Sequence, residues 1–251
     1  NIKTGIRFGI ENFSSSLQYT YLSDQFSDAE NSFSGDVSGI IGVIPSYHVL
    51  DFSAGWGDRL CGFMASEKGE HYVGIDPRKE NHPIYEQQAE FYKKHNGWFE
   101  TDKKTTFHCS PAEDMDYSEY TDYFDIVFSS PPYFNVERYS YDDTQSWVRY
   151  NNIDAWNKLF LHKTIEKVWP TIRKGGYLAI NIADVYASSK GDGKGYKEIC
   201  NPMNDFIQTL GAEYEGCLGM EMAKRPGSAG ANAIIEGDEG RYTEEALEKA
   251  R

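Results

Sequence analysis

Ser130-Pro131-Pro132-Tyr133 brings together residue types that can hold a flat ring bearing an amino group. Neither proline has an N–H, so neither can continue a sheet ladder. The pair instead holds the Ser130 and Pro131 carbonyls in a stiff, extended turn. A serine hydroxyl and a carbonyl can accept two amino hydrogens. The Tyr133 ring can stack on a planar partner for roughly 1–3 kcal/mol, and Phe134 extends the apolar face. Upstream, Asp125-Ile-Val-Phe128 reads as a buried strand. The four residues would therefore sit at a strand's carboxyl end, where open α/β sheets bind ligands.

A second cluster lies upstream. His48-Val-Leu-Asp-Phe52 reads as a strand, Ser53-Ala-Gly-Trp-Gly57 as a glycine-rich turn, and Asp58–Ser66 as a helix. Gly55 and Gly57 allow positive φ and close approach of a ligand to the backbone. The helix start offers unpaired N–H groups to an anion. Asp76 ends a further strand, Tyr72–Asp76, and falls 25 residues after Asp51. An acid there can bind both ribose hydroxyls of an adenosine, as in nicotinamide enzymes. The full G-x-G-x-x-G is missing, since the next glycine after Gly57 is Gly62.

Ser130–Tyr133 resembles the (Asp/Asn/Ser)-Pro-Pro-(Tyr/Phe/Trp) motif of the S-adenosylmethionine-dependent amino-methyltransferases. That family methylates cytosine N4 or adenine N6 in DNA, and relatives act on RNA or on glutamine. The resemblance runs from about Val49 to Met222. It implies S-adenosyl-L-methionine as cofactor and Ser130, Pro131, Pro132 and Tyr133 as the catalytic segment. It further implies that Asp51, Ser53, Ala54, Gly55, Gly57 and Asp76 hold the cofactor. Asp51 would face its ammonium group directly or through water. Ser110-Pro-Ala-Glu-Asp114 resembles the segment lining the adenine ring, with Ala112 and Glu113 as neighbours. Glu113 or Asp114 could equally be a helix-start acid. The serine form favours cytosine N4 over adenine N6. Methylation of RNA or protein glutamine, and a catalytically silent subunit that keeps the fold, stay open. The fold implied is α/β, a Rossmann-like class I methyltransferase sandwich with a mostly parallel sheet and an antiparallel closing strand.

The elements that position these residues alternate along the chain. Helices are expected at Pro83–His95, at Asp154–Arg173 with Asp154 as cap and Lys174-Gly175-Gly176 as terminator, and at Pro202–Leu210. Strands are expected at Thr106–Ser110, Tyr177–Ala183 and, antiparallel, Glu215–Met222. Residues 1–46 read as an arm or lid, 47–225 as the catalytic domain and 226–251 as a tail. Lys190–Lys197 reads as a flexible basic loop.

Charge bounds the partners. The chain of 251 residues has 25 Lys and Arg against 39 Asp and Glu, a net charge of −14. That is acidic for a protein gripping polyanionic DNA unaided. Residues 135–175 are locally basic and aromatic, so Phe134, Arg138, Tyr139 and Arg149 are expected to meet the substrate, DNA or RNA. With no recognition domain after Met222, specificity would be weak, borrowed from a protein partner or oligomer, or carried by loops 135–152 and 187–199. Cys61, Cys109, Cys200 and Cys217 form no CxxC pair, and the histidines are not at ligand spacing, so no metal is expected. Reduced thiols and the lack of a long apolar run point to a cytoplasmic protein without a membrane contact.

Overall fold

Five parallel strands form the sheet in the order β3-β2-β1-β4-β5: β1 His48–Asp51, β2 His71–Ile75, β3 Lys104–His108, β4 Phe124–Ser129 and β5 Ile172–Ile180. The computed structural model describes residues 47–66, 68–95, 102–136, 138–187 and 195–216. The arm 1–46, the tail 226–251 and residues 217–222 of the expected closing strand lie outside them. Glu215 and Gly216, within them, are irregular.

Side chains alternate across each strand and supply two apolar layers. Val49, Tyr72, Ile126 and Ala179 face one way, into a cluster with Leu60, Phe63, Met64 and Tyr85. Those last four come from α1, Asp58–Ala65, and α2, His82–His95. Leu50, Val73, Val127 and Ile180 face the other way, toward Trp156, Phe160, Leu161, Ile165, Val168 and Met203. The result is the expected Rossmann-like sandwich. The strand order reverses between β1 and β4, which places a crevice outside their carboxyl ends.

The helix expected over 154–173 runs from Ile153 to Thr171, with its hydrogen-bonding pattern changing along the way. After α3, Ser146–Arg149, the chain runs through α4 (Ile153–Trp156), a π-helical stretch (Asn157–His162), α5 (Lys163–Val168) and a 3₁₀ turn (Trp169–Thr171). Its cap is Asn152, whose Oδ1 accepts the Ala155 N–H at 2.8 Å, not Asp154. Lys174-Gly175-Gly176 does not end a helix. Ile172 pairs with Phe124 and Tyr177 with Ile126, so residues 173–176 bulge opposite Asp125. The buried Asp125 carboxylate explains this bulge, since it needs a cation. Arg173 supplies one at 2.5 Å. The other carboxylate oxygen accepts the Tyr47 and His48 N–H groups at 2.7 Å each, bolting β4 to β1.

The expected basic loop Lys190–Lys197 ends in a strand. β6, Val185–Ala187, pairs antiparallel with β7, Gly195–Lys197, and α6 follows over Cys200–Thr209. Residues 188–194 lie outside the described set. Lys103 closes α1 from a distance: its ammonium meets the Phe63, Met64 and Ser66 carbonyls. No helix among the described residues is long and apolar enough to cross a membrane.

His71 is buried at the start of β2 between Tyr123 Oη (2.7 Å) and Thr106 Oγ1 (2.9 Å). Burial, helped by Lys104, His48 and His108, pushes its pKa from 6.5 down to about 4. The unfolded chain then binds a proton below pH 6.5 that the folded chain refuses until about pH 4. Stability is complete above pH 6.5 and falls across that window. His71→Asn should lose less of its pH 7 melting temperature at pH 5 than wild type. Equal acid sensitivity would remove His71 as the source.

Candidate functional site

The crevice at the β1–β4 switch point is built around a buried carboxylate. Asp51 ends β1 and is fully enclosed. Its Oδ2 accepts Arg59 Nε at 2.6 Å and the Tyr72 hydroxyl at 2.7 Å. Its Oδ1 accepts the Ser129 hydroxyl at 2.8 Å and the Ser53 N–H at 3.1 Å. Burial works against the Arg59 charge, but Asp51 and Tyr72 hold its pKa above the ordinary value. Arg59 also donates to the Ser53 carbonyl. One residue thus ties α1, β2 and β4 to the turn after β1. The expectation that Asp51 faces a ligand's ammonium group directly is corrected here. Its lone pairs are taken by protein donors.

The turn itself has the expected glycine geometry. Gly55 has φ 58° and Gly57 has φ 89°. A Cβ on Gly57 would lie 2.1 Å from Gln88 Oε1, whereas one on Gly55 would meet nothing nearer than 3.8 Å. Space on Gly55's open side is therefore left by the fold. The Gly55 carbonyl is pinned by Asn81 Nδ2 at 2.7 Å and Tyr85 Oη at 2.5 Å. Gly57 caps α1 with no side-chain bond, so the first-turn N–H groups keep their capacity for an anion. Ser53 and Ala54 form the same turn, with the Ala54 N–H bonded to the Ile75 carbonyl at 2.9 Å.

Asp76 follows β2 and faces this turn. Its Oδ2 accepts the Gly55 N–H at 3.0 Å and its Oδ1 accepts the Arg78 N–H at 2.8 Å. Burial raises its pKa, and these two N–H groups work against that rise. Each oxygen keeps a lone pair, the arrangement a diol would use.

Ser130–Tyr133 leaves β4 one residue past Ser129, next to the Asp51 turn. Among the described residues, no group bonds the Ser130 hydroxyl or the Pro131 carbonyl. Tyr133 is half-buried, and its Oη lies 3.5 Å from Asn181 Oδ1. Phe134 takes a left-handed φ of 51° and is fully buried, edge-on to Trp156 at 6.2 Å. It anchors the segment in the core and is not a substrate contact. A burden of about 1–2 kcal/mol for that backbone is offset by burying a whole aromatic ring.

Three further expectations change. Ala112 is 3% exposed and packs in the cluster containing Phe52 and Ile75, so it is a core residue. Arg149 pairs with Glu113 Oε1 at 2.5 Å and Asp114 Oδ2 at 2.7 Å, which engages it within the protein instead of with a substrate. Glu113 is 1% exposed and also accepts the Tyr150 hydroxyl at 3.1 Å; burial raises its pKa and Arg149 opposes the rise. It is a closed ion-pair partner here, not an open adenine neighbour. Arg138 and Tyr139 remain exposed, with Arg138 over Trp147 at 5.1 Å and Tyr139 edge-on to Trp56 at 6.4 Å. Arg59, Tyr72, Ser129 and Asn181 were not foreseen. The signal for Ser129 was its place before Ser130; a distant arginine or tyrosine leaves none.

No group of three His, Cys, Asp or Glu among the described residues is placed to hold a metal. Burial pushes the Cys61 thiol up to about 11, well away from a nucleophile's range. Cys217 lies outside the described residues.

No protein-family model and no curated protein matches the sequence. Solved structures that resemble it include TehB from Haemophilus influenzae: 15% identity, 65% of this chain, 44% of that one, TM-score 0.41. The S-adenosylhomocysteine-bound methyltransferase PaMTH1 from Podospora anserina gives 10% identity over 71% of this chain and 63% of that one, TM-score 0.39. The Haloferax volcanii complex of the Trm112 methyltransferase activator with a methyltransferase gives 15% over 96% and 92%, TM-score 0.46. The chain spans less than two thirds of the first two.

Asp51→Ala would remove the carboxylate that faces the buried Arg59 guanidinium. It should cost about 3–5 kcal/mol of unfolding free energy, and Tyr72→Phe about 1 kcal/mol, both read from urea titrations. An Asp51→Ala loss under 1 kcal/mol would mean that the carboxylate does not organise this crevice.

Proposed function

We propose that this chain is an S-adenosylmethionine-dependent methyltransferase acting on an exocyclic amino group of a DNA base, cytosine N4 ahead of adenine N6. The observation that carries the reading is the Ser129–Asp51 hydrogen bond. It sets Ser130 Oγ and the Pro131 carbonyl, two acceptors without a partner among the described residues, beside a glycine turn whose fold leaves room at Gly55.

The residues fit the cofactor on chemical grounds. Asp76 would hold the ribose hydroxyls, and the first turn of α1 the amino-acid carboxylate. Bound S-adenosylmethionine supplies an electrophilic methyl group. The chain's own part is to hold the amine. Ser130 Oγ and the Pro131 carbonyl accept its two hydrogens and direct the nitrogen lone pair. The proline pair fixes the Pro131 carbonyl and the backbone that carries Ser130, so that positive charge on that nitrogen is stabilised with little reorganisation. Tyr133 offers a stacking face, and its half-buried setting limits its rotation. Pro132 and Phe134 act on the position of these groups, one through fixed φ and one through the core.

Net charge keeps a second reading in play. The chain carries 25 Lys and Arg against 39 Asp and Glu, and Arg149 is engaged by Glu113 and Asp114, so a phosphate backbone would meet an excess of negative charge. RNA ends or a protein glutamine side chain would ask less of it, and a partner protein could supply the missing cations.

Ser130→Ala should lower kcat more than it raises KM. Tyr133→Ala should weaken productive base binding by roughly 1–3 kcal/mol. Asp76→Ala should weaken cofactor binding in calorimetry, while the two former variants keep it. Labelled methyl transfer to DNA, followed by digestion to nucleosides and mass analysis, identifies the product. Full activity in both Ser130→Ala and Tyr133→Ala would reduce the segment to a proline-stiffened turn.

A further inference from the structure

Asn181 interrupts the apolar run Leu178-Ala-Ile-Asn-Ile182. Its neighbours Ile180 and Ile182 are 6% and 2% exposed, whereas Asn181 is half-buried. A polar amide between two core isoleucines costs free energy unless its hydrogen-bonding groups find partners. Here only one half is met. Oδ1 lies 3.5 Å from Tyr133 Oη, at the limit of a hydrogen bond, and no group among the described residues bonds Nδ2.

Register fixes where this amide sits. Ser129 pairs with Ile180 across β4 and β5, and the Asn181 N–H continues the ladder to the Ser129 carbonyl at 2.9 Å. Asn181 and Ser130 therefore stand at the same level, each one residue beyond its strand. Three polar groups of complementary type then share one end of the sheet: two acceptors, Ser130 Oγ and the Pro131 carbonyl, and a donor, Asn181 Nδ2.

We propose that Asn181 is a specificity-determining residue that donates from Nδ2 to the ring nitrogen adjacent to the target amino group. This inference rests on the amino-methyltransferase reading above. An acceptor–acceptor–donor set matches an amino group flanked by an unprotonated ring nitrogen, as at N4 and N3 of cytosine or N6 and N1 of adenine. It opposes uracil and thymine, which present a carbonyl and a ring N–H in the same places. A site built on such pairing rejects a mismatched edge strongly, because the buried polar groups are left without partners. The Tyr133 hydroxyl faces Oδ1, and among the described residues Nδ2 has no acceptor.

The test pairs protein and substrate changes. Full-length wild type, Asn181→Ala, Asn181→Asp and Asn181→Ser are assayed for labelled methyl transfer. The substrates are oligonucleotides carrying the natural base or its 3-deazacytosine or 1-deazaadenine counterpart, in which C–H replaces the ring nitrogen. Each single change, Asn181→Ala or the deaza base, should lower kcat/KM about tenfold, the size of one ordinary hydrogen bond. The two together should lower it little further. Asn181→Asp keeps the acceptor facing Tyr133 but loses the donor, and should fall as far as Asn181→Ala. Asn181→Ser keeps a donor and should recover part of the loss. S-adenosylhomocysteine affinity, by calorimetry, should be unchanged in all three and serves as the folding control. Independent, multiplicative losses would overturn the inference alone, as would Asn181→Asp matching wild type. Wild type that methylates no DNA base, or only a glutamine peptide, would overturn the underlying reading and this one with it.

Discussion

The carboxylate of Asp51 is the constraint on which the crevice depends. Four donors reach it from β2, β4, α1 and its own turn. Taking a carboxylate and a guanidinium out of water is costly, and their attraction repays that cost only when every remaining lone pair is bonded. Here all the donors are protein groups. The arrangement therefore selects one geometry at the carboxyl ends of β1 and β4, and any shift of α1 or β4 would strand a charge. Its contribution lies in uniqueness of position more than in stability.

Around that point the sheet delegates tasks to different devices. The Ser130–Tyr133 segment is held from both sides, by Ser129 on the carboxylate and by Phe134 in the core. The following loop is held by charge: Arg149 spans Glu113 and Asp114, and Lys163 approaches Asp114 at 3.4 Å. Arg149 outweighs burial at Asp114 and lowers its pKa. The same arginine stacks near Tyr150 at 5.5 Å. A loop rich in aromatic and basic residues is thus partly spent on closing itself, which lowers the positive potential near the crevice.

Much of the scaffold was legible because it depends on local pattern. Apolar runs ending in Asp51, Asp76 and Ser130 mark strand tips, and Gly55 and Gly57 mark a turn that needs positive φ. Side-chain destinations were not legible where they depend on residues far away in the chain. Arg149 looks like a surface cation until Glu113, 36 positions earlier, is seen beside it. Phe134 looks like part of an aromatic face until the backbone turns it inward. The helix expected over 154–173 stops at Thr171 for a similar reason: Asp125 claims Arg173 for the sheet, and no helical periodicity records that demand.

Lys103 has a consequence for the order in which this architecture assembles. An eight-residue helix is too short to persist alone in water, and α1 is terminated by an ammonium 37 residues beyond Ser66. That ammonium precedes β3, the edge strand of the sheet. Closing so long a loop must come before its reward. The glycine turn that opens α1 is thus tied to the far edge of the sheet through the helix it starts. Fraying of that edge would release three carbonyls at the end of the helix whose start borders the crevice.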